Sequence, residues 1–391
     1  MAKTQTRAAT DAPEGARLTV RSNTRPALPR ARYPRGAAAP VLVEVRRGPF
    51  VESRHRGHVV QVGPGGEVEQ GVGDPDVVTS LRSAVKPFAL AALVEAGGVE
   101  TFHLTDAELA VMASSHTGED AHVRTVQAVL RRSGLSQALL QCGIEDAPAD
   151  PLTRARLARE GEAPGPIRHM CSGFHTASLL LARLSGWSLA DYWRHDHPSQ
   201  VAAGHVVARI FGVKPAALIM GIDNCGVPTY AFSLTAIARA FQLLADPAGT
   251  VDVARAPLVP TLTRIRDAMM AAPEMVGGTR EASDTTLMRA RPAALVCKGG
   301  AEGLRGIGLL PGARGERSPS AGVAIKIEDG DGFGRANRAV SVEALAQLGA
   351  LDTQALERLT ELHRPPSRDP RGIEIAASAP VFRLAPLSEL A

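Results

Sequence analysis

A serine, followed three residues later by a lysine and then a proline, constrains the fold of this chain most. The segment Arg82-Ser83-Ala84-Val85-Lys86-Pro87-Phe88 precedes an apolar stretch that ends at Gly97-Gly98. Because a proline cannot lie deep inside a helix, the helix must begin at or near Ser83. The Ser83 hydroxyl then lies at the helix N-terminus, with Lys86 one turn on and on the same face.

This spacing is typical of a nucleophilic hydroxyl with a nearby amine. A hydroxyl at a helix N-terminus lies at the positive end of the helix dipole. A desolvated lysine can lose its proton and serve as a base, and serine acyl-transfer enzymes use this S-x-x-K arrangement. A capping serine followed by a solvated lysine gives the same letters, so the pattern alone leaves both interpretations open.

Composition narrows the class of protein. The chain has 391 residues with 45% hydrophobic and 21% charged content, as in globular proteins. It has no apolar run of 18 residues, which predicts no membrane span. The net charge is only +4 and aromatic content is 4%, which argues against nucleic-acid binding. Four scattered cysteines without a secretory signal predict a cytoplasmic protein with free or metal-bound thiols.

The first forty residues differ from the rest of the chain. Residues 1–40 hold eight Lys/Arg against two Asp/Glu and show no periodicity. We predict a mobile basic extension here, with a transit peptide as the alternative. Residues 41–391 are predicted to form a single catalytic unit.

Strand and helix patterns predict an α/β fold of the α+β kind. Alternating or β-branched runs occur near residues 41–62 and again near 294–327, whereas helical patterns fill the middle. The simplest architecture is an antiparallel sheet built from both chain ends and flanked by helices, with an all-α insert over residues 99–290. Within this insert, residues 217–222 predict a short buried strand or turn.

Two further segments could contribute to the same chemistry. Lys298-Gly299-Gly300 ends a predicted strand, and its glycines would let a substrate lie close to the backbone. Ser114-Ser115-His116 could supply a second nucleophile. A surface lysine in a turn and a polar helix-terminal loop are the plain alternatives.

A possible metal site and a possible anion-binding loop complete the candidates. Cys171 and Cys225 could bind Zn²⁺, with His175 and Asp223 as further ligands. Two buried, inert cysteines are the alternative. The loop containing Gly277-Gly278 and Arg280 could present a guanidinium to a carboxylate.

Taken together, these segments resemble the L-asparaginase II family of the rhizobial type, which has a serine β-lactamase/DD-peptidase-like fold. The resemblance covers roughly residues 40–385 and follows the family's order of motifs. Seven segments carry it: Arg82-Ser83-Ala84-Val85-Lys86-Pro87-Phe88, Ser114-Ser115-His116-Thr117-Gly118-Glu119, Cys171-Ser172-Gly173 with His175, Asp223-Asn224-Cys225-Gly226-Val227-Pro228, Pro273-Glu274-Met275-Val276-Gly277-Gly278, Lys298-Gly299-Gly300-Ala301-Glu302-Gly303 and Lys326-Ile327-Glu328-Asp329-Gly330-Asp331.

The resemblance implies two Ser–Lys pairs in one cleft, Ser83 with Lys86 and Ser115 with Lys298. The implied reaction is acyl transfer, in which one of the two serines, with Ser115 favoured over Ser83, attacks the side-chain amide of asparagine with help from a neutral lysine. Ammonia leaves, and water hydrolyses the aspartyl ester. The expected substrate-binding residues are Arg82, His116, Asp223, Gly277 and Arg280.

The resemblance also implies a zinc site beside the serines and a homodimer. Cys171 and Cys225 match the family's zinc cysteines, with His175 as a possible third ligand. The family's zinc lysine, three residues after the first cysteine, is Phe174 here, and phenylalanine cannot bind a metal. Zinc is therefore weakened, moved to a site that uses His175, or absent.

Three functions remain open from the sequence. The first is hydrolysis of L-asparagine to L-aspartate and ammonia. The second is hydrolysis of another amide, including β-lactam-type substrates, by the same apparatus. The third is a catalytically weak, metal-binding member of the family, which Phe174 favours and the two Ser–Lys pairs oppose.

Overall fold

The computed structural model describes residues 38–249, 253–280, 282–332 and 334–386. The predicted basic extension lies outside the described residues, apart from its last three positions. No helix in these ranges combines the length and the apolar character that crossing a bilayer requires.

The described chain alternates strands and helices. Its strands are β1 Val41–Arg47, β2 Phe50–Val62, β3 Val68–Val72, β4 Val78–Ser80, β5 Ile219–Ile222, β6 Pro228–Ser233, β7 Leu295–Gly300, β8 Leu304–Leu309, β9 Ala321–Ile327, β10 Pro366–Arg368, β11 Glu374–Pro380 and β12 Ala385–Pro386. Its α-helices are α1 Lys86–Glu95, α2 Gly98–Thr101, α3 Asp106–Met112, α4 Asp120–Arg132, α5 Pro151–Glu160, α6 Ser172–Leu184, α7 Pro198–Phe211, α8 Leu234–Ala245, α9 Val259–Ala271, α10 Pro273–Val276, α11 Ser283–Ala290, α12 Ala336–Gln347, α13 Thr353–Arg358 and α14 Thr360–His363.

Both ends of the chain build one antiparallel sheet, as the sequence predicted. Its strand order is β10-β11-β1-β2-β9-β8-β7, and β3 adds to β2 and β12 off this path. The thirteen-residue β2 joins the two ends, because its first half pairs with β1 and its second half with β9. Strand β7, which carries Lys298, is the last strand on that path.

Helices α8 and α12 both pack against this sheet. Helix α8 approaches strand β8 so closely that a Cβ atom at Gly306 would lie 1.9 Å from the ring of Phe241. Packing of helices on an antiparallel sheet is a mixed α/β architecture.

The predicted helical insert also contains a small second sheet. Strands β5 and β6 form a hairpin, and β4 joins them in the order β4-β6-β5. Residues 217–222 were expected to be a short buried strand or turn, but Ile219 and Ile222 of strand β5 are exposed. The reason is that β5 is an edge strand, paired on one side only.

Helix α1 forms where the sequence placed it. A short 3-10 helix, Arg82–Val85, leads directly into α1, with Pro87 in its first turn. The residues from Lys86 to Leu93 are all buried, as expected for a helix that is apolar all round. The S-x-x-K segment therefore lies in the core of the molecule.

Candidate active site

The Ser83 segment begins in a constrained backbone conformation. Arg82 has a positive φ of 46°, in the left-handed region that non-glycine residues seldom adopt. Its side chain is held there, because Nε donates to Asp223 Oδ1 at 2.7 Å and Nη2 donates to Asn224 Oδ1 at 2.9 Å. The ion pair fastens the β5–β6 turn to the start of α1. Such conformations cluster at functional sites.

The Ser114-Ser115-His116 loop follows α3 and is anchored from two sides. The Ser115 amide donates to the carbonyl of Val276 at 3.1 Å, and the His116 amide donates to the carbonyl of Met170 at 3.2 Å. Ser115 is only partly buried, whereas Ser114 is fully buried. The loop thus presents the Ser115 hydroxyl while its backbone is fixed.

Lys86 brings the two segments together. Its side chain is 1% exposed, and Nζ donates to the Ser114 carbonyl at 2.8 Å, Ser115 Oγ at 3.1 Å and Cys171 Sγ at 3.1 Å. Three acceptors match the three N–H bonds of an ammonium group, which then has no lone pair for a proton. The geometry describes Lys86 as a cation that orients Ser115.

The two cysteines explain why Lys86 can hold its charge. A hydrogen bond from the Cys225 thiol holds the pKa of Cys171 well below its usual value, against the effect of burial and with help from Lys86. The same hydrogen bond and burial raise the pKa of Cys225. Burial by itself would lower the pKa of Lys86, but the negative charge shared by the Cys171–Cys225 pair outweighs it and raises that pKa.

Lys298 reaches the same region from strand β7. It is 1% exposed, its Nζ donates to the Gly299 carbonyl at 2.7 Å, and it lies 3.5 Å from Asp284 Oδ2. Burial lowers its pKa, Asp284 opposes this, and the charges of Lys86 and Arg305 lower it further. An uncharged Lys298 that donates to Gly299 keeps its lone pair free to accept a proton.

Gly300 lets strand β7 approach the Ser83 segment. A Cβ atom at residue 300 would lie 2.3 Å from the carbonyl oxygen of Leu81, two residues before Ser83. No side chain fits at that distance, so Gly300 allows close approach of the Leu81 backbone, whereas the sequence-based expectation was that these glycines admit a substrate.

The Ser–Lys partners differ from those that the resemblance implied. Lys86 donates to Ser115, and within the described ranges neither Ser115 with Lys298 nor Ser83 with Lys86 forms a side-chain hydrogen bond. The charge of Lys86 nevertheless affects the pKa of Lys298. Lys86 uses its three donors on the Ser114 carbonyl, Ser115 and Cys171, which leaves none for Ser83. Lys298 Nζ instead contacts the Gly299 carbonyl and Asp284.

Two expected substrate-binding residues have other partners. His116 is fully buried, its Nε2 lies 2.9 Å from Ser172 Oγ, and its Nδ1 accepts from the Gly118 amide at 3.1 Å, so no ring nitrogen is left for a substrate.

Arg280 donates to both carboxylate oxygens of Asp150, at 3.0 and 2.6 Å. Arg82 and Asp223 bind one another, as described above.

Gly277, also expected to contact substrate, belongs to a loop that packs on the Ser115 loop. A Cβ atom at Gly278, where φ is +153°, would lie 2.3 Å from Thr117 Oγ1. Thr279 then donates through its amide and its hydroxyl to Glu119, at 2.9 and 2.6 Å. This loop therefore holds the Ser115 loop in place.

The ligand-type side chains do not fit a closed zinc site. Within the described ranges, no three His, Cys, Asp or Glu side chains come together as metal ligands. His175 Nδ1 lies 2.7 Å from the Tyr192 hydroxyl, and Asp223 is taken by Arg82, although the buried Nε2 of His175 has no partner in the structure. Phe174 is buried at the position of the expected lysine. A structural zinc site has four ligands, so we derive no step through a metal.

The structure adds residues that the sequence did not single out. Asp284 lies in the first turn of α11 and binds the Gly299 amide at 3.0 Å, while Arg305 binds Asp284 from strand β8. No local pattern marks these two, because residues so far apart in sequence meet only in the folded chain.

A sequence model described as L-asparaginase II matches residues 43–379. No curated protein matches the chain. A solved structure titled "Crystal Structure Analysis of Mglu" covers 77% of this chain and 69% of its own, with 14% identity and a TM-score of 0.33. A structure of Mglu "in its L-glutamate binding form" has the same identity and TM-score and is covered over 62% of its length. TM-scores this low carry no argument about fold or function.

Proposed function

Because this chain belongs to the L-asparaginase II family, we propose that it hydrolyses the side-chain amide of L-asparagine by serine-based acyl transfer. Family membership supports an asparaginase-type amidohydrolase. The observation that carries the serine mechanism is the hydrogen bond from Lys86 Nζ to Ser115 Oγ, made inside a buried cluster that Lys298 also approaches. The β-lactamase-like fold is part of this proposal, supported by a sheet that both chain ends build.

Ser115 is the nucleophile in this proposal. Its Oγ forms a bond to the amide carbon while its proton passes to Lys298, the buried amine whose pKa is lowered. Lys86 remains an ammonium that orients Oγ. The proton on Lys298 then goes to the leaving nitrogen, which departs as ammonia. Water hydrolyses the ester, giving aspartate and free Ser115.

In this scheme Lys86 orients Ser115 and Lys298 takes the proton. The sequence-based hypothesis instead made Lys86 the neutral base for Ser83. Ser83 is buried at the start of α1, and we propose that it contacts the substrate or the transferred proton. The zinc that the resemblance implied has no step here.

Ammonia release tests the proposal. We expect activity on L-asparagine, and we expect Ser115→Ala to lower kcat by about 10³-fold or more, because the nucleophile is lost. Ser367→Ala, in strand β10, is the matched control. Glutamine and a chromogenic β-lactam, assayed on the same sample, test the second function. If Ser115→Ala keeps the parental rate on every substrate, the serine mechanism is wrong.

A further inference from the structure

Asp284 is a buried carboxylate at one edge of strand β7 with more than one cationic neighbour. It accepts from the Gly299 amide at 3.0 Å through each oxygen. Lys298 Nζ lies 3.5 Å from Oδ2, and Arg305 Nη1 binds Oδ1. Gly299 pairs with Arg305 across β7 and β8, so Lys298, the neighbour of Gly299, points to the opposite face of the sheet from Arg305. Asp284 at the strand edge is within reach of both.

Arg305 holds the carboxylate more firmly than Lys298 does. Its side chain is 6% exposed and contacts Asp284 at hydrogen-bond distance, and its Nη2 donates to Ser283 Oγ at 2.7 Å. A separation of 3.5 Å is at the limit for a hydrogen bond. Lys298 thus lies next to a carboxylate whose charge Arg305 already balances.

A chain of contacts fixes Arg305 from its other side. Its Nε donates to Asn337 Oδ1 at 2.8 Å, and Asn337 Nδ2 donates to the Gly303 carbonyl at 2.8 Å. Asp331 in turn accepts from the amides of Ala336 and Asn337, at 3.0 and 2.8 Å, and so caps α12. These contacts link the motif that ends at Asp331 to Arg305 through Asn337.

We propose that Arg305 is a positioning residue: held by Asn337, it occupies the Asp284 carboxylate and thereby leaves the Lys298 amine uncharged and able to take a proton. The use of that amine in catalysis rests on the proposed function. The direction of the Lys298 pKa agrees, since burial lowers it and Arg305 adds to that effect. The charged or titratable groups that face Lys298 are Asp284 from α11, Arg305 from β8, Lys86 from α1 and Cys297 on its own strand.

Lysine NMR tests this without any substrate. The chain has only five lysines, at positions 3, 86, 214, 298 and 326, so ¹³C-lysine labelling gives five Cε signals. The signal that Lys298→Met lacks is that of Lys298. We expect Arg305→Gln to raise the midpoint of the Lys298 titration by at least about one pH unit, because Asp284 then has only Lys298 as a counter-ion.

Three further variants separate charge from structure. Arg305→Lys keeps a cation and should leave the midpoint near the parental value. The double variant Arg305→Gln/Asp284→Asn removes both charges and should reverse the rise. Arg368→Gln, which removes an exposed arginine from β10, should leave Lys298 unaffected. If Arg305→Gln does not fold, Asn337→Ala loosens Arg305 and should raise the midpoint in the same direction by a smaller amount.

The outcomes are distinct. An unchanged Lys298 midpoint in Arg305→Gln, or in Asn337→Ala where only that variant folds, overturns the proposal, as does a rise that persists in the double variant. The acidic limb of the pH profile of kcat/KM for ammonia release should move with the NMR midpoint; a uniform loss of rate at all pH values would mean a merely structural role. If the parent releases no ammonia while the midpoint still shifts, the proposed function fails and the arrangement around Lys298 stands.

Discussion

Lys86 and Lys298 are equally buried, at 1% exposure each, yet their pKa values move in opposite directions. Around Lys86 stand a carbonyl, a hydroxyl and the sulfur of Cys171, whose pKa lies well below its usual value because of the Cys225 hydrogen bond. Beside Lys298 stands a carboxylate that an arginine already occupies. Burial disfavours the charged form of both amines. What differs is whether the nearest negative group is free to pair with the lysine, and that decides the direction in which each pKa moves.

The largest test of this comparison replaces each lysine by methionine. We expect both variants to lose about 10²–10⁴-fold in kcat/KM for ammonia release, since each removes a group that the reaction uses. Their stabilities should differ. Lys86→Met removes the hydrogen bonds that the Ser114 carbonyl and Cys171 accept from Nζ and should cost about 1–3 kcal/mol, whereas Asp284 keeps Arg305 in Lys298→Met. Urea unfolding measures this, and a larger stability loss for Lys298→Met would reverse our account.

A second test moves strand β7, which carries Lys298, away from the segment that carries Lys86. Gly300→Ala places a methyl group 2.3 Å from the Leu81 carbonyl and must push strand β7 away from the Ser83 segment. We expect kcat to fall about 10²-fold, because a misplacement of about 1 Å has that effect on an active site. Gly165→Ala is the control, since nothing lies within 4 Å of its added Cβ. Equal rates in the two variants would show that Lys298 needs no contact with this segment.

A third test concerns Cys171 and Cys225, the two cysteines beside Lys86. Phe174 lies on α6 three residues after Cys171, where the resemblance implied a lysine ligand. We expect Phe174→Lys to raise the zinc content towards about one per chain by adding a donor to the two sulfurs. The parent and Phe174→Met should stay well below that value, as measured by metal analysis after dialysis. A parent that retains a full equivalent of zinc contradicts our account of this cluster.

The smallest effect is expected for Arg280, which binds the Asp150 carboxylate much as Arg305 binds Asp284. The Arg280 hydrogen bonds, opposed by burial, hold the pKa of Asp150 at about 2, below its ordinary value of 3.8. A lowered pKa stabilises the fold above the ordinary value, and this stabilisation is lost as the pH falls through about 2.

Arg280→Gln should therefore lower the free energy of unfolding by about 1 kcal/mol at neutral pH, a modest figure because Arg280 is partly exposed. The difference from the parent should shrink as the pH falls from about 4 to about 2. Thermal unfolding across this range measures it, with Arg368→Gln as the exposed control. A difference that is constant with pH would exclude the Asp150 charge as its cause.

Local sequence patterns predicted much of the fold. The antiparallel sheet from both chain ends is confirmed, as is the start of α1 near Ser83, because proline sterics and residue periodicity act over a few positions. The edge strand β5 was expected to be buried, since a short apolar run does not reveal which side of a strand is paired. The family was also recognisable, because the order of its motifs is a property of the sequence alone.

The partners within the site could not be foreseen in this way. Arg82 with Asp223, Lys86 with Cys171, and Arg305 with Asp284 join residues from 21 to 141 positions apart. The sequence by itself determined which chemical groups are present: two serines, two lysines and two cysteines set among glycines. Only the tertiary structure decided in which direction the pKa of each lysine moves, because that depends on charges brought within a few ångströms by folding.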